Sequence, residues 1–416
     1  MASEAGRGPL RGVTVLELGS FISAPFAARI LADFGARVIK VEPLDGDPLR
    51  QWGMRATRDS SFWSLQQSRG KDLVAIDLHT ERGQGLVRAL AGRVDVLLEN
   101  FRPGRLEAWG LGREALRALY PKLIMVSISG FGQTGPYRER PGFGNIAESM
   151  GGLRSVTGYE GSPPLRVGVS LGDQIASLYA VIGTLLALRE REKAPGRPGE
   201  HVDVSLLEAV LSMMEASVTE YVHRGVVPRR LGNRLHRSAP SGVYPTVDGG
   251  WVAIGANADA IFRRLARALG RQDWLADPEL RSSAGRVRRV DELDDGIAAF
   301  TARRTTGEIL AVMGRAEVPA GPVYSVREIA VDPHIRARGA VTEVACPECG
   351  DDPLTMLGVF PVLSEDPGAV RAPGGSIGRD TAEVLRELLG LSPEGIVELA
   401  SRNVVAMADS SQEGAS

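Results

Sequence analysis

A parallel, doubly wound α/β domain followed by a smaller α+β domain is the fold class this sequence predicts, and three observations predict it. The first is length: 416 residues exceed the about 250–300 that a single core accommodates, so two domains are expected. The second is an alternation of short apolar strands with amphipathic helices through the first 130 or so residues. The third is a change of character after Val243. In order, Val13–Leu18 reads as a strand, Pro25–Phe34 as a helix, and Arg37–Val41 and Leu73–Leu78 as strands. Gln84–Gly92 follows as a helix, Val94–Leu98 as a strand, Arg113–Tyr120 as a helix and Leu123–Ile128 as a strand. Such alternation builds a parallel sheet covered on both faces.

An almost wholly apolar helix is expected from Leu178 to Leu188, buried on all sides because it has no polar face. The charged, Pro/Gly-broken stretch Arg189–Gly199 ends it. A strand at His201–Ser205 then leads into an amphipathic helix carrying Leu207, Val210, Leu211, Met214, Val218 and Tyr221 at helical spacing. A linker from Arg224 to Gly242 follows, rich in arginine (Arg224, Arg229, Arg230, Arg234, Arg237); it reads as a solvated connector or as a positive rim for an anionic ligand. Val243–Ile254 reads as a hairpin turning at Asp248-Gly249, followed by helices at Ala258–Leu269, Val290–Thr301 and Thr306–Arg315. Val318-Pro-Ala-Gly-Pro-Val323 reads as a compact turn, and Thr381–Leu389 as a last helix closed by Gly390. The expected domains are therefore 1–200, large; 201–242, helix and linker; 243–318, small α+β; and 319–416, linker and return to the large domain.

Hydrophobic residues at 43%, charged residues at 24% and a net charge of −2 describe an ordinary globular chain without a nucleic-acid surface. The first eight residues contain no apolar leader core, and no run of about 18 uninterrupted apolar residues occurs, so a cytoplasmic protein without a membrane anchor is expected. Both cysteines sit in Cys346-Pro-Glu-Cys349. The spacing is that of half a zinc site without a second ligand pair; the surrounding Pro, Gly and Asp residues read as a turn. No metal is expected.

Asp173, at the entry to the apolar helix, calls for an explanation. It is either an N-cap satisfying orphan amides or a working group, held ionised by those amides and the helix dipole and able to attack a carbonyl. Ligands on parallel sheets bind beyond the carboxyl ends of the strands, which gives weight to the loops Gly19–Ala24, Glu99–Gly104 and Ser129–Pro136. The first lacks the glycines of a dinucleotide fingerprint, so NAD is not expected despite Glu42 at the end of the next strand. Walker, zincin and nucleophile-elbow motifs are absent from the sequence.

Taken together, the chain resembles the class III CoA-transferases, the formyl-CoA transferase and carnitine CoA-transferase family, from about Pro9 to Val405. The resemblance rests on Pro9-Leu-x-Gly-Val-x-Val-Leu16, Leu31–Pro43 with Gly46-Asp47, Arg69-Gly-Lys71, Glu99-Asn-Phe-Arg-Pro-Gly104, Ser129–Pro136, Asp173 with its helix, and Val318–Val323. It implies a Rossmann-like large domain, a small domain and two linkers that make each subunit an open ring threaded by its partner in an interlocked homodimer. It implies that Asp173 is the nucleophile, forming an aspartyl anhydride and then an aspartyl-CoA thioester. The substrates are then an acyl-CoA and a free carboxylic acid, with CoA as substrate and no tightly bound cofactor. By the same resemblance Phe21, Ile22 and Ser23 line the pantetheine path and Asn100 and Phe101 contact CoA. His79 stands where some relatives have a lysine near the adenosine, and Lys71 joins the CoA-binding set. Relatives with a phosphate-binding arginine carry it where Ala108 stands here, so Arg102 or Arg105 is the candidate replacement.

Arg237-Ser-Ala-Pro-Ser-Gly242 replaces the four-glycine run of formyl-CoA transferases, which points away from an oxalate/formate pair; the arginine-rich linker hints at a second carboxylate, as in succinate. Two other readings are an α-methylacyl-CoA racemase and a CoA-binding protein without turnover. The first needs a histidine where Phe143 stands, and phenylalanine carries no proton; the second leaves Asp173 without a task.

Overall fold

The computed structural model describes residues 8–194 and 196–408. Residues 1–7, most of the segment read above as lacking a leader core, lie outside the described residues. Two compact units emerge: residues 8–151, 168–214 and 333–408 form the first, and residues 152–167 and 215–332 the second.

The first unit is built on a seven-stranded sheet in the order β12-β3-β2-β1-β4-β5-β6. Its parallel strands are β1 (Thr14–Glu17), β2 (Arg37–Glu42), β3 (Lys71–Ile76), β4 (Val96–Glu99), β5 (Ile124–Ser129) and β6 (His201–Ser205). The two-residue β12 (Val405–Ala406) adds antiparallel to β3. The order 3-2-1-4-5-6 reverses direction between β1 and β4, so their carboxyl ends splay into a crevice. Helices α1 (Ser23–Asp33), α2 (Phe62–Gln67), α3 (Glu81–Ala91), α4 (Arg105–Ala108), α5 (Arg113–Leu119) and α6 (Gly144–Met150) belong to this unit. So do α8 (Leu171–Lys193), α9 (Leu206–Leu211), α17 (Pro333–Ala337), α18 (Thr381–Leu389) and α19 (Pro393–Ser401). One face of the sheet carries a core of Leu16, Ile39, Val74, Leu97, Leu86 and Leu385. Gly390 ends α18 in the left-handed conformation, φ 66°, as its sequence suggested, but α18 is not the last helix: α19 follows it, with Ser392 as its N-cap and a proline in its first turn. A β10–β11 hairpin (Val341–Val344, Leu354–Leu357) completes the unit. Between its strands Cys346 and Cys349 are joined by a disulfide, with Cα atoms 5.2 Å apart.

The second unit holds α7 (Leu153–Val156), α10 (Ser217–Arg224), α11 (Asp259–Ala268), α12 (Gln272–Ala276), α13 (Ser283–Arg288), α14 (Val290–Thr301), α15 (Thr306–Arg315) and α16 (Val326–Val331). Its sheet orders β7 (Ser241–Pro245), β8 (Trp251–Gly255) and β9 (Ala320–Pro322) as antiparallel neighbours. Tyr244, Phe262, Trp274, Leu293 and Met313 form its core. Three of the five linker arginines are ion-paired inside this unit, while Arg230 donates to the carbonyls of Tyr159 and Ser162 and Arg224 to that of His223. Arg234 pairs with Asp291 at 2.7 Å and Asp294 at 2.6 Å, Arg237 with Glu220 at 2.9 Å, and Arg229 with Glu160 at 3.5 Å.

Three expectations need correction. Val318–Val323 is not a turn: Ala320–Pro322 is an edge strand, where proline is tolerated because one side of the ladder needs no donor. The amphipathic run Leu207–Tyr221 is two helices, broken at Glu215 by a left-handed backbone, φ 48°. The apolar helix is longer than its apolar run and is not buried all round. α8 lays Ala176, Ala180, Thr184 and Ala187 against the interior of its own unit, but Leu178, Ile182 and Leu186 are 49%, 51% and 63% exposed. Small residues let one face approach α1 and the sheet closely, and the larger apolar residues are left outward. This is also the one helix among the described residues long and apolar enough to cross a membrane by length and composition.

Candidate active site

The crevice between β1 and β4 is held by side chains rising from the sheet. Asn100, directly after β4, reaches across to the β1 loop: its Oδ1 accepts Ser20 N–H at 2.9 Å, and its Nδ2 donates to Ser20 O at 2.8 Å and Ser23 Oγ at 2.9 Å. Asn100 therefore does more than close a turn; it clamps one loop to the other. Gly19 permits that approach, because a Cβ there would stand 2.2 Å from Ala24 Cβ and 2.9 Å from Asn100 Oδ1. Phe21 takes a positive φ of 62°, a costly conformation for an aromatic residue that only a well-determined loop retains. Its N–H donates to Asp47 Oδ1 at 3.1 Å, and its ring lies 5.2 Å from Trp52, which in turn meets Trp63. Ile22 and Ser23 are buried.

Beneath this loop lies a closed charge network. Lys40 Nζ donates to Glu17 at 2.9 Å, Asp47 at 2.8 Å and Gly19 O at 3.0 Å, which uses all three of its protons. Lys71 Nζ donates to Glu17 at 2.6 Å and Pro25 O at 2.9 Å. Lys71 is thus neither a solvated surface charge nor at the open face of the loop; it supports the loop from below. Burial pushes the Lys71 ammonium down to about 8 against the pull of Glu17, with Lys40 adding repulsion. Burial acts the same way on Lys40, yet Asp47, Glu17 and Glu42 outweigh it and hold that ammonium above its ordinary value. Replacing Lys40 by methionine leaves Glu17 and Asp47 without their shared cation. The expected loss is about 3–5 kcal/mol of stability, read as a lower urea midpoint at unchanged slope.

Asp173 stands at the third position of α8. The helix starts at Leu171 and its N-cap, Ser170, makes no side-chain cap bond, so Asp173 is not the N-cap the sequence allowed. It belongs to the first turn, where the dipole of a 23-residue helix favours its anion. The carboxylate lies over Gly144 at the start of α6, and a Cβ on Gly144 would meet Asp173 Oδ2 at 2.2 Å and Cγ at 2.7 Å. The same helix supplies Glu148, 1% exposed, whose Oε1 accepts Gly172 N–H at 3.2 Å. Ser177 Oγ lies 2.7 Å from both Ser23 O and Asp173 O, so its single proton bridges the two carbonyls. A chain of contacts thus runs Asn100–Ser23–Ser177–Asp173 and joins the crevice loops to the acid.

The remaining predicted residues lie farther along the carboxyl edge. Phe101 packs edge-on against Trp109 at 5.2 Å, Arg105 lies over the same indole at 5.4 Å, and exposed His79 meets it at 6.1 Å. His79 Nδ1 is 3.0 Å from Asp77. Arg102 turns away and donates to Glu139 O. Phe143, the N-cap of α6, is 72% exposed. The sequence reading missed Gly144, Glu148 and Trp109 as site residues. Trp109 follows Arg105 by four residues, a spacing that helical geometry could have flagged.

The model of CoA-transferase family III matches residues 10–381. Over 406 residues, 97% of this chain and 100% of the relative, the protein is 45% identical to the succinyl-CoA–D-citramalate CoA-transferase of Chloroflexus aurantiacus. It is 34% identical to the succinate–glutarate CoA-transferase of Agrobacterium fabrum, over 91% of this chain and 96% of that one. Its structure resembles the crystal structure of a CAIB/BAIF family protein from Brucella suis, with a TM-score of 0.81 and 31% identity, covering 92% of this chain and all of that one. With the acid, the crevice and the sheet order in place, these likenesses show that the chain belongs to CoA-transferase family III and is a CoA-transferase.

Proposed function

We propose that this enzyme takes CoA from succinyl-CoA and passes it to a short dicarboxylic acid of the citramalate, malate or glutarate kind, with Asp173 as covalent carrier. The observation that carries the reading is the placement of Asp173: a carboxylate in the first turn of a long helix, lodged against the one residue type that leaves it room. Its Oδ attacks the succinyl thioester carbon and CoA leaves as thiolate, giving a mixed anhydride. The thiolate attacks the Asp173 acyl carbon and succinate leaves. The acceptor carboxylate then attacks the aspartyl thioester, and the returning thiolate takes the acceptor's acyl group and restores Asp173. Each step exchanges one acyl bond for another, so neither water nor ATP enters. The Asn100 clamp and the strained Phe21 loop supply positioning, and the Phe101–Trp109–Arg105–His79 group offers a stacking face for the adenine end. Relatives of this family named for succinyl-CoA support the donor. Incubation with succinyl-CoA and a panel of mono- and dicarboxylic acids, read by chromatography of the CoA esters, is expected to give a new ester only with short dicarboxylic acids. A product from monocarboxylic acids alone overturns the substrate assignment.

The outward apolar face of α8 supports a homodimer in which a second copy covers Leu178, Ile182 and Leu186. Light scattering is expected to give twice the chain mass, and Ile182→Glu to lower it toward the monomer. A wild-type monomer contradicts the dimer.

A further inference from the structure

From the carboxyl end of β4 a row of polar side chains crosses the sheet to β5 and the first half of β6, and the chemistry above uses none of it. Glu99, Ser127 and Asp203 are register partners on adjacent strands, and His201, two residues before Asp203, shares their face. Glu99 is 4% exposed. It accepts Phe101 N–H at 2.7 Å, its register partner Ser127 stands beside it on β5, and Ser127 Oγ lies 3.1 Å from His201 Nε2. Asp203 accepts Gln133 N–H at 2.9 Å. Glu107 of α4, Arg113 of α5 and Arg102 of the β4 loop face the same recess.

One proton sets the direction of this chain. With Glu99 ionised, neutral His201 donates Nε2–H to Ser127, Ser127 donates to Glu99, and the charged carboxylate holds Phe101 N–H. With Glu99 protonated the sense reverses: its O–H donates to Ser127, Ser127 donates to Nε2 of the other imidazole tautomer, and Phe101 N–H keeps only a neutral oxygen. Burial pushes the Glu99 carboxyl up to about 7, opposed by Ser127 and Phe101 N–H and reinforced by Glu107 and Asp203. Burial, with Arg113 beside it, lowers the His201 imidazole and so favours its neutral form, against the pull of Asp203, Glu107 and Glu114.

We infer that Glu99 is a positioning residue for CoA: as a carboxylate it fixes the Asn100–Arg102 segment for binding, and proton uptake by the Glu99–Ser127–His201 chain loosens that segment. The inference rests on the assignment of this segment to CoA. The test is calorimetric titration of the intact protein with free CoA and with 3′-dephospho-CoA from pH 5.5 to 8.5; the second probe removes a phosphate that itself titrates near pH 6. Wild-type affinity for both is expected to fall about three- to fivefold as pH drops through 7, the scale of one weakened hydrogen bond to a charged group. Glu99→Gln is expected to bind at the weak level throughout and to lose the step. A Glu99→Gln protein that keeps the wild-type step overturns the inference. Asn100→Ala and Trp109→Ala, run alongside, separate the two failures, because unchanged CoA affinity in both sinks the CoA assignment itself.

Discussion

Asp173→Ala and Asp173→Asn are expected to lower kcat by at least about 10⁴-fold while leaving the affinity for CoA within about twofold, the pattern for loss of a covalent nucleophile rather than of a binding group. The isosteric asparagine is the sharper of the two. It keeps the shape over Gly144 and the helix start, yet an amide does not form the anhydride. Both variants are expected to unfold at urea concentrations close to wild type, because the backbone ties of the first turn, Gly172 N–H to Glu148 and Asp173 O from Ser177, do not depend on the carboxylate. A variant that folds, binds CoA and still turns over at a tenth of the wild-type rate contradicts the nucleophile.

Gly144→Ala is expected to have the second-largest effect, about 10²-fold in kcat, from a methyl group that touches no substrate. A Cβ has no rotamer with which to avoid Asp173 Oδ2 at 2.2 Å, so the carboxylate must swing or α6 must shift. A displacement of about 1 Å at a reacting group costs a factor of that order. CoA affinity is expected to hold, since the Asn100 clamp is untouched, and stability to fall by about 1–3 kcal/mol, as for overpacking. Rates equal to wild type show that the carboxylate works in another position. A drop in CoA affinity alone points to a binding role for Gly144 instead.

Much of the large sheet could be read from the sequence because each strand is a short apolar run between recognisable helices; β1 through β6 lie within three residues of where periodicity put them. β9 could not be read, since Ala320-Gly-Pro322 has turn composition and becomes a strand only because β8 offers it a partner. The exposed face of α8 was hidden for a similar reason: composition reports that a helix is apolar, not which side of it small residues press against the interior. Asp173 stood out as an acid before an apolar run, and its distinction from an N-cap needed the true helix start at Leu171.

The supporting residues were legible as letters and not as neighbours. Glu17 and Lys40 are register partners on β1 and β2, and Lys71 reaches Glu17 from β3. Strand order and register are tertiary facts, so Lys71 read as surface or ligand contact and proved to be the floor of a loop. Gly144 and Asp173 are 29 positions apart in sequence, and only the packing of α6 on α8 shows why a glycine stands there.

Peptide mass spectrometry after mixing the protein with succinyl-CoA tests the central claim most directly. The expected result is a CoA-mass increment on the peptide that contains Asp173, lost on addition of an acceptor dicarboxylate and absent from Asp173→Ala. Turnover of succinyl-CoA with every Asp173 peptide unmodified, together with activity retained in Asp173→Ala, contradicts it.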